Sequence, residues 1–338
     1  MKALYFDSFG TSDVLRYGDV STLVPTPGHV LVRTGYIGLN FADIYRRRGT
    51  YHIQPNNPYI NGYEASGVVV EGDEQFLGRN VLFVDVPLAN AEIVAVPVEK
   101  LILLPDGMDL KLAATVGLQG LTADFLVHDL GRNKPGNKVF ITGVSGGVGQ
   151  LLAQMLIADG MEVSGSASSP EKRQTAIDLG VREVLPSRED GWVAGYASRF
   201  DTVYDGFGAT LNNSVAMVKD RGSVVLFGFA AGDPPCLDMV DLVGHSKNIL
   251  TGDLWDFLTS AEERQRRADR LFGYLFGGKI RVADPVIFPL NEGKAAHDLL
   301  ESGTSTGKIL LTSIGMPGTA VLPTPASSFG SLSPVGAI

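Results

Sequence analysis

Residues 138–150 read KVFITGVSGGVGQ, and no other stretch restricts the possible folds so sharply. Val139, Phe140 and Ile141 form a short apolar run of β type that ends in a glycine-rich turn. Leu151, Leu152, Met155 and Leu156 then recur at helical spacing. Strand, glycines and helix, in that order, are what a dinucleotide pyrophosphate site needs. Gly143, Gly146, Gly147 and Gly149 permit a tight turn and close backbone approach. Ser145 and Val148 lie inside the same turn and are expected to contact the cofactor with the glycines. The start of the helix aims its free N–H groups and the positive end of its dipole at phosphate. The spacing is GxxGxxG rather than GxGxxG, so the reading leans on the strand–turn–helix context.

The pattern continues downstream. Strands are expected at 139–142, 161–165, 183–185, 201–204, 223–227 and 248–251, with helices at 171–179 and 211–219 between them. This alternation predicts an α/β unit, a doubly wound parallel sheet with helices on both faces. Residues 1–105 are different: short apolar β runs alternate with Gly, Pro and Asn turns. Within them the segment 40–52, NFADIYRRRGTYH, breaks the β pattern and reads as a short helix and a loop. Asp109 is placed to cap a helix from Leu110 that runs on toward Leu130. After Ser260, a charged helix at 261–276, a strand at 286–288, a helix at 292–300 and a strand at 308–311 read as a return to the first domain. The expected division is therefore 1–118 for the first part of a β-rich domain, 119–260 for the nucleotide domain, and 261–315 for the return. Residues 316–338, rich in Pro, Ser and Gly, read as a tail.

Composition removes several function classes. The net charge of −9 argues against a nucleic-acid or anionic-membrane partner. No apolar run in the sequence reaches membrane-spanning length, and MKALYFDSFG runs directly into a strand pattern without a signal-peptide core. Cys236 is the single cysteine, so no disulfide forms within the chain and no thiol-rich zinc site is available. A reducing, cytoplasmic setting is expected.

The cofactor's second half is read at the end of the second strand. That end runs Ser166, Ala167, Ser168, Ser169, Pro170, Glu171, Lys172, Arg173, with no carboxylate at the strand end to accept a pair of ribose hydroxyls. Ser168, Lys172 and Arg173 instead offer donors and positive charge, which suits a 2′-phosphate, so NADPH is expected over NADH. Gly206 follows the fourth strand and Phe227, Gly228 and Phe229 end the fifth, on the sheet edge where open α/β sheets bind ligands. Hydride transfer to an electrophilic carbon or oxygen then needs a dry cleft and a donor aimed at the developing charge. Asn40, Tyr45, Arg47 and Tyr51, all in one short segment, are the candidate catalytic residues, with Asn40 also a candidate to bind the cofactor at the nicotinamide ribose. Asp43 reads as a helix brace, Arg46 to Arg48 as a solvated charge run, and His52 as an exposed loop histidine.

The motifs NFADIYRRRGTY, GYEASGVV, VGLQGLTA, ITGVSGGVGQLLAQ, VYDGFG and TSTGKILL, in that order and spacing, resemble the zinc-independent quinone oxidoreductases and enoyl reductases of the medium-chain dehydrogenase/reductase superfamily. The resemblance implies a GroES-like catalytic domain, built from both chain ends, around a central Rossmann domain. It implies Lys172 as a phosphate-binding lysine, Lys308 as a lysine reaching the cofactor, and Tyr45 as a cleft wall. Tyr51 matches a tyrosine proposed as proton donor in polyketide enoyl reductases, and Arg47 matches a family arginine. Thr122, in the LQGLTA motif, is expected near the nicotinamide. Glu64 is read as a brace, and Phe41 and Tyr63 as pocket walls. Zinc-containing relatives carry cysteine and histidine ligands where this chain has Asn40 and Tyr63, so no metal is expected. Residues 70–98 are shorter than the family pattern, which alters one cleft wall. The implied acceptor is a quinone, an α,β-unsaturated carbonyl or an enoyl thioester, with a cofactor-binding protein lacking turnover as the alternative. A homodimer through the edge strand at 248–251 is implied as well.

Overall fold

The structure is a computed structural model and describes residues 1–21, 23–53, 58–187 and 191–313. The expected tail at 316–338 lies outside the described residues.

Six strands form one parallel sheet. Side by side they run Glu183–Pro186, Glu162–Ala167, Lys138–Ile141, Phe200–Asp205, Val218–Leu226 and Asn248–Thr251. In chain order this is 3-2-1-4-5-6, the doubly wound arrangement that the alternation predicts. The order reverses between Lys138–Ile141 and Phe200–Asp205, so a crevice opens beyond the carboxyl ends of those strands. Val139, Phe140 and Ile141 are fully buried, as a strand covered on both faces requires. The fifth strand differs from expectation. It begins at Val218, directly after the helix Leu211–Met217. Lys219, expected to end the helix, and Asp220 and Arg221, expected between helix and strand, thus sit inside the strand, because Val218 pairs with Phe200 before the register shifts.

The second sheet has seven strands: Val286–Pro289, Ile309–Thr312, His29–Leu39, Glu64–Glu71, Asn80–Val84 and Leu101–Leu103 in order, with Ile93–Pro97 also paired to His29–Leu39. The two latest strands therefore complete a sheet begun near the N-terminus. Their register is specific. Ile309 lies opposite Leu39 and Leu310 opposite Gly38, which sets Lys308 beside Asn40.

The helix Leu110–Phe125 passes directly into π-helical turns at Leu126–Gly131 and joins the two lobes. Asp109 caps it, accepting the Leu112 N–H at 2.7 Å. By length and composition alone these 22 residues would pass as a membrane span, but 67% of their most apolar window is buried inside the fold. That is how a core helix behaves: it packs on the strands His29–Leu39, Glu64–Glu71 and Asn80–Val84 on one side and on the helix Gly147–Ala158 on the other.

Candidate active site

The glycine turn is built from close backbone contacts. Gly143 has φ +64°, a left-handed conformation that side chains disfavour. Gly146 N–H donates to Gly143 O at 2.9 Å, and Gln150 N–H closes the first helical turn onto Gly146 O at 2.9 Å. The N–H groups of Gly147, Val148 and Gly149 precede that bond and have no partner within the helix Gly147–Ala158. A Cβ on Gly149 would stand 2.4 Å from Gly143 O, and one on Gly147 would stand 2.1 Å from Gln119 Oε1. Ser145 is buried, and its carbonyl accepts Gln150 Nε2 at 2.7 Å. Gly307 bridges to Gly146, drawing the segment that carries Lys308 against the turn. The residues present fit a dinucleotide: N–H groups left free by the helix, glycines that allow close backbone approach, and a dipole of the right sign.

The neighbouring strand ends are equally close. Asp205, fully buried, accepts from Phe207 N–H (2.9 Å), Gly208 N–H (3.2 Å) and the hydroxyls of Thr210 (2.9 Å) and Ser214 (2.6 Å). Gly206 N–H donates to Thr142 Oγ1 at 3.0 Å. A Cβ on Gly228 would meet Gly206 O at 2.8 Å. Phe227 is half-buried and Phe229 exposed, at the same edge. At the second strand end Ser169 caps the helix Pro170–Asp178, accepting Lys172 N–H at 3.3 Å. Lys172 Nζ reaches across to Gly303 O at 2.6 Å, while Ser168 and Arg173 are half-buried beside it. Thr122 is half-buried on the long helix, its hydroxyl donating to Leu118 O at 2.8 Å.

Below the crevice lies a buried ion pair. Glu64 Oε2 accepts from Lys308 Nζ at 2.7 Å and from Asn40 Nδ2 at 2.9 Å. Lys308 Nζ also donates to Asn40 Oδ1 at 2.9 Å, and Glu64 Oε1 accepts Leu118 N–H at 2.6 Å. The side chains of Glu64 and Lys308 are 0% and 2% exposed. Asn40 and Lys308 are thus tied to each other and to Glu64, which braces the floor as expected. Asn40 precedes the helix Phe41–Arg47, and its N–H donates to Asp43 Oδ2 at 2.9 Å. Burial pushes the Asp43 carboxyl up, against the pull of Arg46.

Aromatic rings form the wall above. Tyr45 and Tyr51 meet edge-on with centroids 6.3 Å apart, and Tyr45 stands 6.5 Å from Phe229. The Tyr45 hydroxyl accepts Phe229 N–H at 3.3 Å, joining the wall to the end of the fifth parallel strand. Burial raises the Tyr45 phenol, and burial with the nearby Asp253 carboxylate raises that of Tyr51 further. Tyr51 donates to Asp253 Oδ2 at 2.8 Å, and His52 Nε2 meets the same oxygen at 2.8 Å. Tyr51 and His52 have φ +64° and +48°, which costs about 1–3 kcal/mol each unless the surroundings hold them. Tyr63 packs against Trp255 at 6.2 Å, and its hydroxyl donates to His52 O at 3.1 Å. Asp253 and Trp255 escaped the sequence reading. The available signal was position: they follow the sixth parallel strand, on the sheet edge where ligands gather.

Two expectations about the arginines are corrected. Arg46 and Arg47 are fully buried, so the run is not a solvated face; only Arg48 is exposed. Arg47, expected as a catalytic donor, is fully engaged elsewhere. Its Nε donates to Gly10 O (3.2 Å), and its other nitrogens meet His297 Nδ1 (3.0 Å) and Glu301 (2.6 Å). It clamps the N-terminal segment to the helix Gly293–Glu301 and leaves no surface for a substrate. Burial, with the Arg47 charge beside it, holds His297 down to about 3. Arg46 pairs with Asp43 at 3.2 Å and lies 3.5 Å above the Tyr63 ring. His52 is exposed as expected, but it is paired with Asp253 rather than idle.

A doubly wound nucleotide unit held by a β-rich lobe made from both chain ends is the architecture of medium-chain dehydrogenases and reductases. Two family descriptions match the sequence: "Alcohol dehydrogenase GroES-like domain" over residues 26–106 and "Zinc-binding dehydrogenase" over residues 147–263. A probable quinone oxidoreductase of Schizosaccharomyces pombe is 34% identical over 313 residues, 89% of this chain and 94% of its own length. A 2-haloacrylate reductase of a Burkholderia species is 31% identical over 320 residues, 89% of this chain and 96% of its own length. Among solved structures, the quinone oxidoreductase of Escherichia coli complexed with NADPH superposes with a TM-score of 0.87 at 27% identity, covering 92% of this chain and 100% of its own. The chain belongs to the zinc-independent quinone oxidoreductase group of the medium-chain dehydrogenase/reductase superfamily. Among the described residues no three His, Cys, Asp or Glu side chains gather as metal ligands.

Proposed function

We propose that this chain is an NADPH-dependent reductase of uncharged, flat, conjugated acceptors, either quinones or α,β-unsaturated carbonyl compounds. The observation that carries the reading is a ring-lined cleft with its cations already neutralised. Arg46 and Arg47 are buried, Arg48 pairs with Glu301 at 2.5 Å, and Lys308 pairs with Glu64. Tyr45, Tyr51 and Phe229 offer faces and edges to a planar ring. Among the described residues these cations are already paired or buried, so a carboxylate-bearing acceptor would have to displace an existing partner.

When bound, NADPH supplies the hydride. The chain's own part is to hold and orient it. The N–H groups of Gly147, Val148 and Gly149, with Ser145 and Gly146 beside them, would take the pyrophosphate. Ser168, Lys172 and Arg173 would take the 2′-phosphate, with Lys172 exchanging its bond to Gly303 O for a charged one. Gly206 and the segment Phe227, Gly228 and Phe229 line the nicotinamide end. Thr122 lies on the helix that backs it, and Asn40, held by Glu64 and Lys308, fixes the floor. The NADPH complex of the E. coli relative supports the choice of cofactor. The 2-haloacrylate reductase supports carbon-centred as well as oxygen-centred reduction, which keeps enones and enoyl thioesters in the acceptor set.

The test is a steady-state screen of NADPH and NADH against para-quinones, enones, 2-chloroacrylate and enoyl thioesters. NADPH consumption with an uncharged quinone or enone, and little with 2-chloroacrylate, is the expected result. Tight NADPH binding without turnover on any acceptor would mark a regulatory binding protein instead. No NADPH binding at submillimolar concentration would sink both readings.

The same reading includes a homodimer. Asn248–Thr251 ends the parallel sheet with one edge unpaired. The helix Met239–Gly244, just before it in the chain, exposes Met239, Val240 and Val243. An apolar strip next to an open strand edge is a surface that a second copy can cover. Light scattering at micromolar concentration should return twice the 36.0 kDa chain mass; a monomer mass refutes the dimer.

A further inference from the structure

We propose that Asp253 is a positioning residue that joins His52 and Tyr51 into one proton-delivery path at the mouth of the cleft. The inference rests on the reductase reading above.

The carboxylate is oriented by its own chain. Asp253 Oδ1 accepts Trp255 N–H at 3.2 Å, capping the short turn Leu254–Phe257. Oδ2 is left to face the β-rich lobe, where it meets both Tyr51 Oη and His52 Nε2 at 2.8 Å. A carboxylate oxygen only accepts, so both groups donate to it, which puts the histidine proton on Nε2. The two side chains come from adjacent residues, both left-handed, and their rings meet edge-on at 4.4 Å. Two such residues in a row persist only where something outside the loop holds them, and this oxygen is 202 residues away from Tyr51 in the chain. His52 is half open to solvent. Tyr51 leans on Tyr45, whose hydroxyl is bonded to Phe229 N–H at the nicotinamide end. The other groups facing the trio are Arg46, 5.3 Å from the Tyr51 ring; Asp85, after the strand Asn80–Val84; and Tyr63, bonded to His52 O.

The path balances the reaction. The acceptor gains one hydride, which carries two electrons, and one proton. The Tyr51 O–H bond breaks as the new bond to hydrogen forms on the acceptor. The tyrosine oxygen regains a proton across Asp253 Oδ2 as the His52 Nε2–H bond breaks and solvent delivers a proton to the other ring nitrogen, Nδ1, so the imidazole stays neutral. Proton exchange with water then returns His52 to its starting tautomer.

Asp253→Asn separates this role from a structural one. Asparagine keeps the oxygen that caps Trp255 but replaces the shared acceptor by an amide donor. The expected result is a kcat lowered about 100-fold with unchanged NADPH affinity, and partial rescue by Asp253→Glu. His52→Gln should lower kcat as well, again with unchanged NADPH affinity. A readout free of cofactor comes from the phenolate absorbance of the apo protein. Tyr51, identified by its loss in Tyr51→Phe, should ionise at lower pH in Asp253→Asn, because the neighbouring negative charge is gone. Wild-type kcat in both Asp253→Asn and His52→Gln overturns the inference, whatever the phenol titration shows, and leaves the reductase reading standing. A wild-type protein that binds NADPH but reduces no acceptor overturns both.

Discussion

Glu64→Gln is expected to destabilise the protein by about 3–5 kcal/mol, the usual cost of removing one partner from a buried ion pair. The change is nearly isosteric, so packing is not the cause. Glu64 Oε2 receives an ammonium and an amide N–H, from Lys308 and Asn40, while Oε1 receives Leu118 N–H. Every group around the carboxylate is a donor. A glutamine must turn its own NH2 toward one set of them, and either way a donor faces a donor. Lys308 is then left charged with its side chain 2% exposed. Space does not relieve the conflict, since Gly38 and Gly117 already press on the carboxylate so closely that a Cβ on either would overlap it. Adding Lys308→Met should recover most of the loss, because it removes the stranded charge instead of leaving it. Denaturant midpoints for the single and double variants check both statements. A single-variant loss under about 1 kcal/mol would mean that water reaches the pair, as at an exposed site.

Gly149→Ala is expected to lower NADPH affinity about 100-fold, or about 2.7 kcal/mol. The added methyl would lie 2.4 Å from Gly143 O and 2.9 Å from Val144 Cα. Both are backbone atoms, so no side chain can swing aside. The turn has to open, and the N–H groups of Gly147, Val148 and Gly149 then lose their common aim. Fluorescence titration with NADPH measures the effect. Gly273→Ala is the matched control. Gly273 lies in the helix Ala261–Phe276 with nothing within 4 Å of a new Cβ, so alanine there should stabilise by up to about 1 kcal/mol and leave binding alone. Wild-type affinity in Gly149→Ala would show that close backbone approach is not what holds the phosphates.

The parts of this fold that announce themselves in the sequence are local. The run Val139 to Ile141, the four glycines after it and the apolar stripe beyond are neighbours in the chain, and the structure keeps them together. Handedness narrows the strand order, but the step from Glu183–Pro186 back over two strands to Phe200–Asp205 is not a local feature. The arginines show the opposite case. A run of three reads as a surface because one local carboxylate, Asp43, cannot neutralise it all, yet Arg47 finds His297 and Glu301 at separations of 250 and 254 residues. Asp253 is similar. Within its own turn it is an ordinary cap, and its second oxygen acquires a role only when a loop from the other lobe arrives. Glu64 fell between these cases. Its role as a brace was expected, but the identity of what it braces depended on the register that sets Ile309 opposite Leu39.

That register has a further consequence for the order in which the molecule comes into being. The parallel sheet has all its strands once Thr251 has left the ribosome, so the nucleotide lobe can settle while the chain is still growing. The first lobe cannot finish then. Ile309–Thr312 is wedged between Val286–Pro289 and His29–Leu39, so residues 36–39 wait with an open edge through most of translation. The Glu64 carboxylate waits with them, and the ammonium that neutralises it emerges just before the strand that closes the lobe.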